Sequence, residues 1–242
     1  MVALDALTPE DIAVRLAAPA AERAPFLRAA AEQGHAEAQL VYGQMLLDGA
    51  GVAPDAVAAL GWFTRAAGQH HAMALNMVGR CYDQGLGTGV DKGRAAACFR
   101  VAAELGLSEA MYNYATLLAL GDGVAENKPA ALALFERAAA RGYAKAINHV
   151  GSFAEDGWVH PRDMAKATDC YRRAAEGGDF RGQFNHARML IAAGDIDAAL
   201  PWLAAAGAAG NAAFVVKAIA WLRATGDARL AEEGVATVRD GC

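Results

Sequence analysis

Apolar and polar positions return along this chain at one fixed interval. Ala30, Ala66, Ala102, Ala138 and Ala174 are spaced by 36 residues, and so are Ala38, Ala74, Ala110 and Ala146. Two further series keep the same period: Gly49, Gly85, Gly121 and Gly157, and the capping residues Asp55, Asp91, Asn127 and Asp163. Four series with one period define a structural unit that recurs. A unit of this length buries its apolar surface against its neighbours, so it predicts a solenoid grown along one axis.

Each unit reads as two helices. Helix A is predicted over 36–47, 72–84, 108–120, 144–155 and 180–192, with small residues at Gly43, Gly79, Ala115, Gly151 and Ala187. A mid-helix glycine costs about 1 kcal/mol against alanine, so its periodic use implies that another helix approaches closely there. Helix A ends in a glycine turn, as in Gly85-Leu86-Gly87 and Gly121-Asp122-Gly123-Val124, and helix B starts at the Asx residues, which are good N-caps. Helix B is expected to bury the pairs Trp62/Phe63, Cys98/Phe99, Leu134/Phe135 and Cys170/Tyr171. At the amino terminus, Thr8-Pro9-Glu10-Asp11 signals a first helix that stops before Pro19. A second is expected over 21–33, with Pro25 pushing its start toward Ala24 and Gly34 terminating it.

These marks together resemble the Sel1-like repeat, a relative of the tetratricopeptide repeat with a longer turn inside each unit. Ala102-Ala103-Glu104-Leu105-Gly106 and Gly121-Asp122-Gly123-Val124 match its pattern directly, and the likeness is strong from about Ala29 to Gly178. The chain departs from it at His70, where glycine is expected, at Val159-His160 in place of Gly-Val, and at Gly182 in place of alanine. The resemblance implies an all-α, right-handed α-α superhelical solenoid of helix pairs. Its expected layout is a capping pair over 1–34, four 36-residue repeats over 35–178, a shortened tetratricopeptide-like repeat over 179–210 and a carboxy-terminal capping helix pair over 211–242.

Composition narrows the functional classes. The formal net charge is −5 and no dense Lys/Arg run occurs, which argues against nucleic-acid binding. Residues 1–13 contain Asp5, Glu10 and Asp11 without a basic segment, so no secretory signal is expected, and no stretch reaches the roughly 18 apolar residues of a membrane span. A soluble, cytoplasmic monomer is the expectation. Arginine used over lysine, with abundant alanine, fits a GC-rich bacterial genome. The four cysteines, Cys81, Cys98, Cys170 and Cys242, are too few and too irregular for a disulfide framework.

Candidate chemistry is sparse. His70-His71 are adjacent, whereas histidines that share a metal on a helix sit i, i+4, so they read as turn residues. His149 and His186 combine with no ligand spacing, so no metal or cofactor is expected. Gly85-Leu86-Gly87-Thr88-Gly89 lacks the strand and the Gly-Lys-Ser/Thr ending of a phosphate loop. Ser152 has no nucleophile-elbow context, and no catalytic residue is assigned.

In related arrays the A helices line a concave face, which here implies a non-enzymatic scaffold or adaptor for a protein or peptide. Register places Asn76, Arg80, Tyr112, Asn113, Thr116, Asn148, His149, Ser152, Phe184 and Arg188 on or beside that face. The competing readings are an accessory protein holding a small molecule or metal ion near Asn76, Arg80, His70 and His71, and a hydrolase.

Overall fold

The computed structural model describes residues 8–240; Cys242 and the acidic Asp5 of the amino-terminal segment lie outside the described residues. The described residues form α-helices joined by turns, with one π-helical turn, Leu230–Gly234, and no strand. They fall into two compact units, Met1–Asn127 and Lys128–Cys242. The division lies within the third 36-residue repeat, between its A and B helices.

In the first unit, α1 (Pro9–Ala17) and α2 (Ala20–Glu32) precede the A helices α3 (Ala36–Asp48), α5 (Ala72–Gln84) and α7 (Ser108–Leu120). Between these lie the B helices α4 (Ala56–Ala67) and α6 (Lys92–Glu104). The second unit holds α8 (Lys128–Ala139), α9 (Ala144–Asp156), α10 (Met164–Glu176), α11 (Phe180–Ala192), α12 (Ile196–Ala209) and α13 (Ala212–Ala224). The π turn then leads into α14 (Val235–Asp240). From α2 to α7 and from α8 to α12 consecutive helices pack on one another as stacked hairpins, the all-α repeat solenoid that the 36-residue period predicts, whereas α12 packs mainly on α14 beyond them.

Helix boundaries follow from the caps. The Thr8 hydroxyl accepts the Asp11 N–H at 3.2 Å while Asp11 Oδ2 takes the Thr8 N–H at 3.1 Å, a reciprocal capping box at the start of α1. Asp55, Asp91 and Asp163 each accept an N–H from three residues on, all at 2.9 Å, and so satisfy the first turns of α4, α6 and α10. Gly49, Gly85, Gly121 and Gly157 end the A helices with φ between 68° and 74°.

One expectation about boundaries needs correction. Pro25 does not delay α2, which starts at Ala20 and carries the proline in its interior. Proline there forgoes one hydrogen bond near the helix start, while Ala24, Phe26 and Leu27 around it are buried.

The small residues of helix A face a ring. A Cβ added at Gly43 would lie 2.7 Å from Phe63, one at Gly79 2.5 Å from Phe99, and one at Gly151 2.8 Å from Tyr171. In each case the ring comes from the partner helix of the same hairpin, twenty residues on. Phe63, Phe99, Phe135 and Tyr171 are buried to 2 % exposure or less. Only this second member of each expected pair is uniformly buried; Trp62, Cys98 and Leu134 are half-buried. Adjacent residues on a helix point about 100° apart, so the first member of a pair meets the partner helix less squarely, although Cys170 is itself buried and lies against Gly151 beside Tyr171.

Hairpins of the first unit also stack through backbone. Gly51 abuts Ala20 and Ala21, Gly87 abuts Ala56, and Gly123 abuts Lys92, each contact reaching the first turn of the B helix one hairpin earlier. These second glycines take φ of 70° to 75°. The turn after α9 is built differently: Gly157 alone has positive φ there, and Trp158 packs edge-on against Phe153 at 4.9 Å in place of a glycine contact. At Gly182 a Cβ would come within 2.6 Å of Ala174, which explains the departure from alanine at that position.

Gly79→Leu should lower unfolding free energy by about 1–3 kcal/mol through overpacking against Phe99, read as a lower urea midpoint. Gly87→Ala should destabilise more than Gly89→Ala, since an added Cβ at Gly89 meets nothing within 4 Å. Equal midpoints for that pair would refute the backbone stacking contact.

Candidate partner-binding faces

The A helices of each unit carry an ordered set of side chains at their outer edge. In the first unit Asn113 Nδ2 donates to Asn76 Oδ1 at 2.9 Å, tying α7 to α5. In the second, Asn185 Nδ2 donates to Asn148 Oδ1 at 2.9 Å, tying α11 to α9. Both bonds span 37 residues, and both acceptors, Asn76 and Asn148, are 4 % exposed. An amide buried this deeply requires its partner, so these residues align neighbouring A helices.

Arg188 lies at the centre of the second unit's network. Its Nη2 donates to Glu155 Oε1 at 2.9 Å, its Nη1 to Asn185 Oδ1 at 3.0 Å, and its guanidinium lies 5.7 Å from the Trp221 ring centre. The Tyr171 hydroxyl donates to Glu155 at 2.6 Å and lies 3.3 Å from Ser152 Oγ. Burial opposes ionisation of Glu155, but the Tyr171 and Arg188 hydrogen bonds outweigh it and hold the carboxyl below its usual range. Desolvation, with the bond to Glu155, pushes the Tyr171 phenol above its ordinary value.

Each unit has a cleft beside its own A helices. One of about 430 Å³ in the first unit is lined by Leu40, Met45, Met73, Met77, Arg23 and Arg80, with Gln44 and Asp48 at its edge. One of about 390 Å³ in the second unit is lined by Phe184, Phe214, Trp221, Asn185, Arg188, Arg181 and Lys217.

The ten residues assigned from sequence fall into distinct settings. Asn76 pairs with Asn113, and Asn148 with Asn185, while Thr116 and Ser152 donate to the helix carbonyls of Tyr112 and Asn148 at 2.9 and 3.4 Å. Arg80 lies half-buried against Met77 Sδ at 3.5 Å, and Tyr112 is half-buried on α7. Phe184 and Arg188 line the second cleft. His149 is stacked on Phe135 at 4.7 Å and 7°, inside the α8–α9 packing.

Sequence reasoning missed Phe214, Lys217 and Trp221, because α13 lies beyond the regular period. One signal was available: Phe184 and Trp221 are separated by the same 37 residues as the asparagine pairs, and they meet at 5.5 Å.

The adjacent histidines have local tasks. His70 is the only described non-glycine residue with positive φ, 60°, and fills the helix-ending position that glycine holds elsewhere. His71 caps α5: its Nδ1 accepts the Ala74 N–H at 3.2 Å, which leaves the proton on Nε2, 2.9 Å from Glu37 Oε2. Among the described residues no group of three or more His, Cys, Asp or Glu is placed to hold a metal ion. Burial pushes the thiols of Cys81, Cys98 and Cys170 upward, away from the reactive thiolate.

Stacked helix hairpins with clefts on the A-helix side define a helical-repeat protein. The Sel1 repeat model matches residues 36–71, 72–107, 108–143 and 144–179. These windows cover more than half of the chain, and the chain belongs to the Sel1 repeat family. Among solved structures, a Sel1 repeat protein from Oxalobacter formigenes is 26% identical with a TM-score of 0.73, over 91% of this chain and 95% of that one. The protective antigen c5321 of uropathogenic Escherichia coli, which displays the same fold, is 27% identical with a TM-score of 0.70, over 92% of this chain. This chain spans about half of that antigen's length, 49%. A further likeness, to a Sel1 repeat protein of Klebsiella pneumoniae, at 20% identity and a TM-score of 0.54, concerns the fold alone. No curated protein matches the chain.

His149 supplies a pH test. Desolvation, helped by Arg181, lowers its pKa from 6.5 to about 4. The unfolded chain therefore binds this proton first as pH falls. The neutral ring's contribution is whole above pH ~6.5 and is lost progressively toward pH ~4. Unfolding free energies from urea titrations across that window should fall less for His149→Phe than for wild type, by an amount of order 2 kcal/mol. Parallel profiles would refute the neutral stacked histidine.

Proposed function

We propose that this protein is a non-enzymatic scaffold that binds a protein or peptide partner along the A-helix side of its repeats. The observation that carries this reading is the presence, in both units, of an apolar cleft on that side edged by arginine. Large apolar side chains beside arginine are what protein-binding surfaces use as anchors. The A helices are also tied to one another by buried asparagine pairs, so binding residues are held in place before a partner arrives, which reduces the ordering cost of association. The described side chains offer little to a catalytic reading: Ser152 bonds its own helix, and the described thiols are desolvated. The unpaired cysteines fit a reducing compartment, and the solved relatives come from bacteria, which supports a bacterial cytoplasmic setting.

The test is affinity capture from bacterial lysate with three charge reversals. Arg80→Glu and Lys217→Glu alter the A-helix clefts, while Arg137→Glu alters an exposed site on helix B. A partner held by wild type and Arg137→Glu, and lost with either cleft variant, is the expected result. Equal recovery by all four would place binding elsewhere, and turnover of a substrate by the purified protein would overturn the non-enzymatic reading.

A further inference from the structure

The two clefts differ in charge. In the first, Gln44 donates to Asp48 at 2.7 Å, so a carboxylate already stands beside Arg23 and Arg80. The second has no carboxylate in its lining. Arg188 spends its charge on Glu155, but Arg181 and Lys217 are exposed, and neither has a carboxylate within ion-pair distance among the described residues. Arg181 lies over the Phe180 ring at 4.6 Å and within electrostatic reach of the buried Asp179, so two exposed cations without an ion pair edge one cleft in a chain whose formal net charge is −5.

The floor between them is aromatic. Phe184 meets Phe214 at 5.6 Å and 89° and Trp221 at 5.5 Å and 82°, edge to face, and all three rings are half-exposed. Arg188 over Trp221, itself fixed by Glu155 and Asn185, holds one wall rigid. The cations stand on different helices, Arg181 one turn before Phe184 on α11 and Lys217 between Phe214 and Trp221 on α13. That separation suits two acidic groups on either side of an apolar one better than a single carboxylate.

We infer that the α11–α13 cleft docks an acidic polypeptide segment through one bulky apolar side chain, flanked by aspartate or glutamate residues that reach Arg181 and Lys217. The inference rests on the scaffold reading and names the partner class for one of its faces. Charge complementarity selects the acids, and the aromatic floor desolvates the anchor. The overall negative charge disfavours an oligonucleotide, which would need cations spread along its backbone.

The experiment pans a random peptide display library over wild-type protein, over an Arg181→Glu/Lys217→Glu variant and over Arg80→Glu, each first checked by circular dichroism for a wild-type melt. Recovered sequences, synthesised with both ends blocked, are measured by fluorescence anisotropy. Enrichment of Asp or Glu beside Trp, Phe, Leu or Ile is expected, with affinity reduced about tenfold or more by the double reversal and lowered by salt. Peptides indifferent to the double reversal but lost with Arg80→Glu would overturn this inference and leave the scaffold reading standing. No enrichment on wild type would overturn both. Binding only by peptides with a free terminal carboxylate, or tighter binding of oligo-dT than of any peptide, would overturn the acidic segment as occupant.

Discussion

The structure depends on a glycine meeting a ring. Within a hairpin, the A helix presents bare backbone at Gly43, Gly79 or Gly151, and the B helix presses Phe63, Phe99 or Tyr171 against it. Without that flat surface the ring would hold the helices apart, and the alanines at Ala66, Ala102 and Ala174 would lose their close packing. A glycine that weakens its own helix is retained because it lets a large side chain be buried completely. Removing such a ring costs about 3–5 kcal/mol, more than the helix loses.

The same contact connects the core to the surface in the second unit. There the ring is a tyrosine, and its hydroxyl emerges beside Glu155. Glu155 in turn fixes Arg188, and Arg188 lies over Trp221. One oxygen added to a core ring thus helps to order a cleft wall on the other side of helix α9. The first unit, with Phe63 and Phe99 in the equivalent places, lacks this connection, and its cleft is lined instead by pliant methionines.

The fold was legible because it is written as coincidence of phase. Alanine, glycine and Asx series with one period place helices, turns and caps without any need to know the tertiary structure, and the A helices end within a residue of where the glycines put them. The surface was less legible. Side chains that line a helix edge are chosen by what lies across from them, and periodicity does not show that Asn76 and Asn148 turn toward Asn113 and Asn185. Register puts His149 beside the face and does not show that its ring stacks on Phe135, a contact that depends on the neighbouring helix. Phe214, Lys217 and Trp221 fall in the expected capping pair and were not assigned to a face, because the spacing of 32 residues from Gly178 to Gly210 breaks the phase on which register arguments rely.

In the first unit, the stacking of one hairpin on the previous one runs through Gly51, Gly87 and Gly123, each set mainly against main-chain atoms. A joint of that kind is indifferent to side-chain identity across it, and Ala20, Ala56 and Lys92 occupy the receiving position in turn. Sequence drift along that edge leaves the spacing of the array unaltered. New surface chemistry can therefore accumulate there while the geometry that presents it is inherited intact.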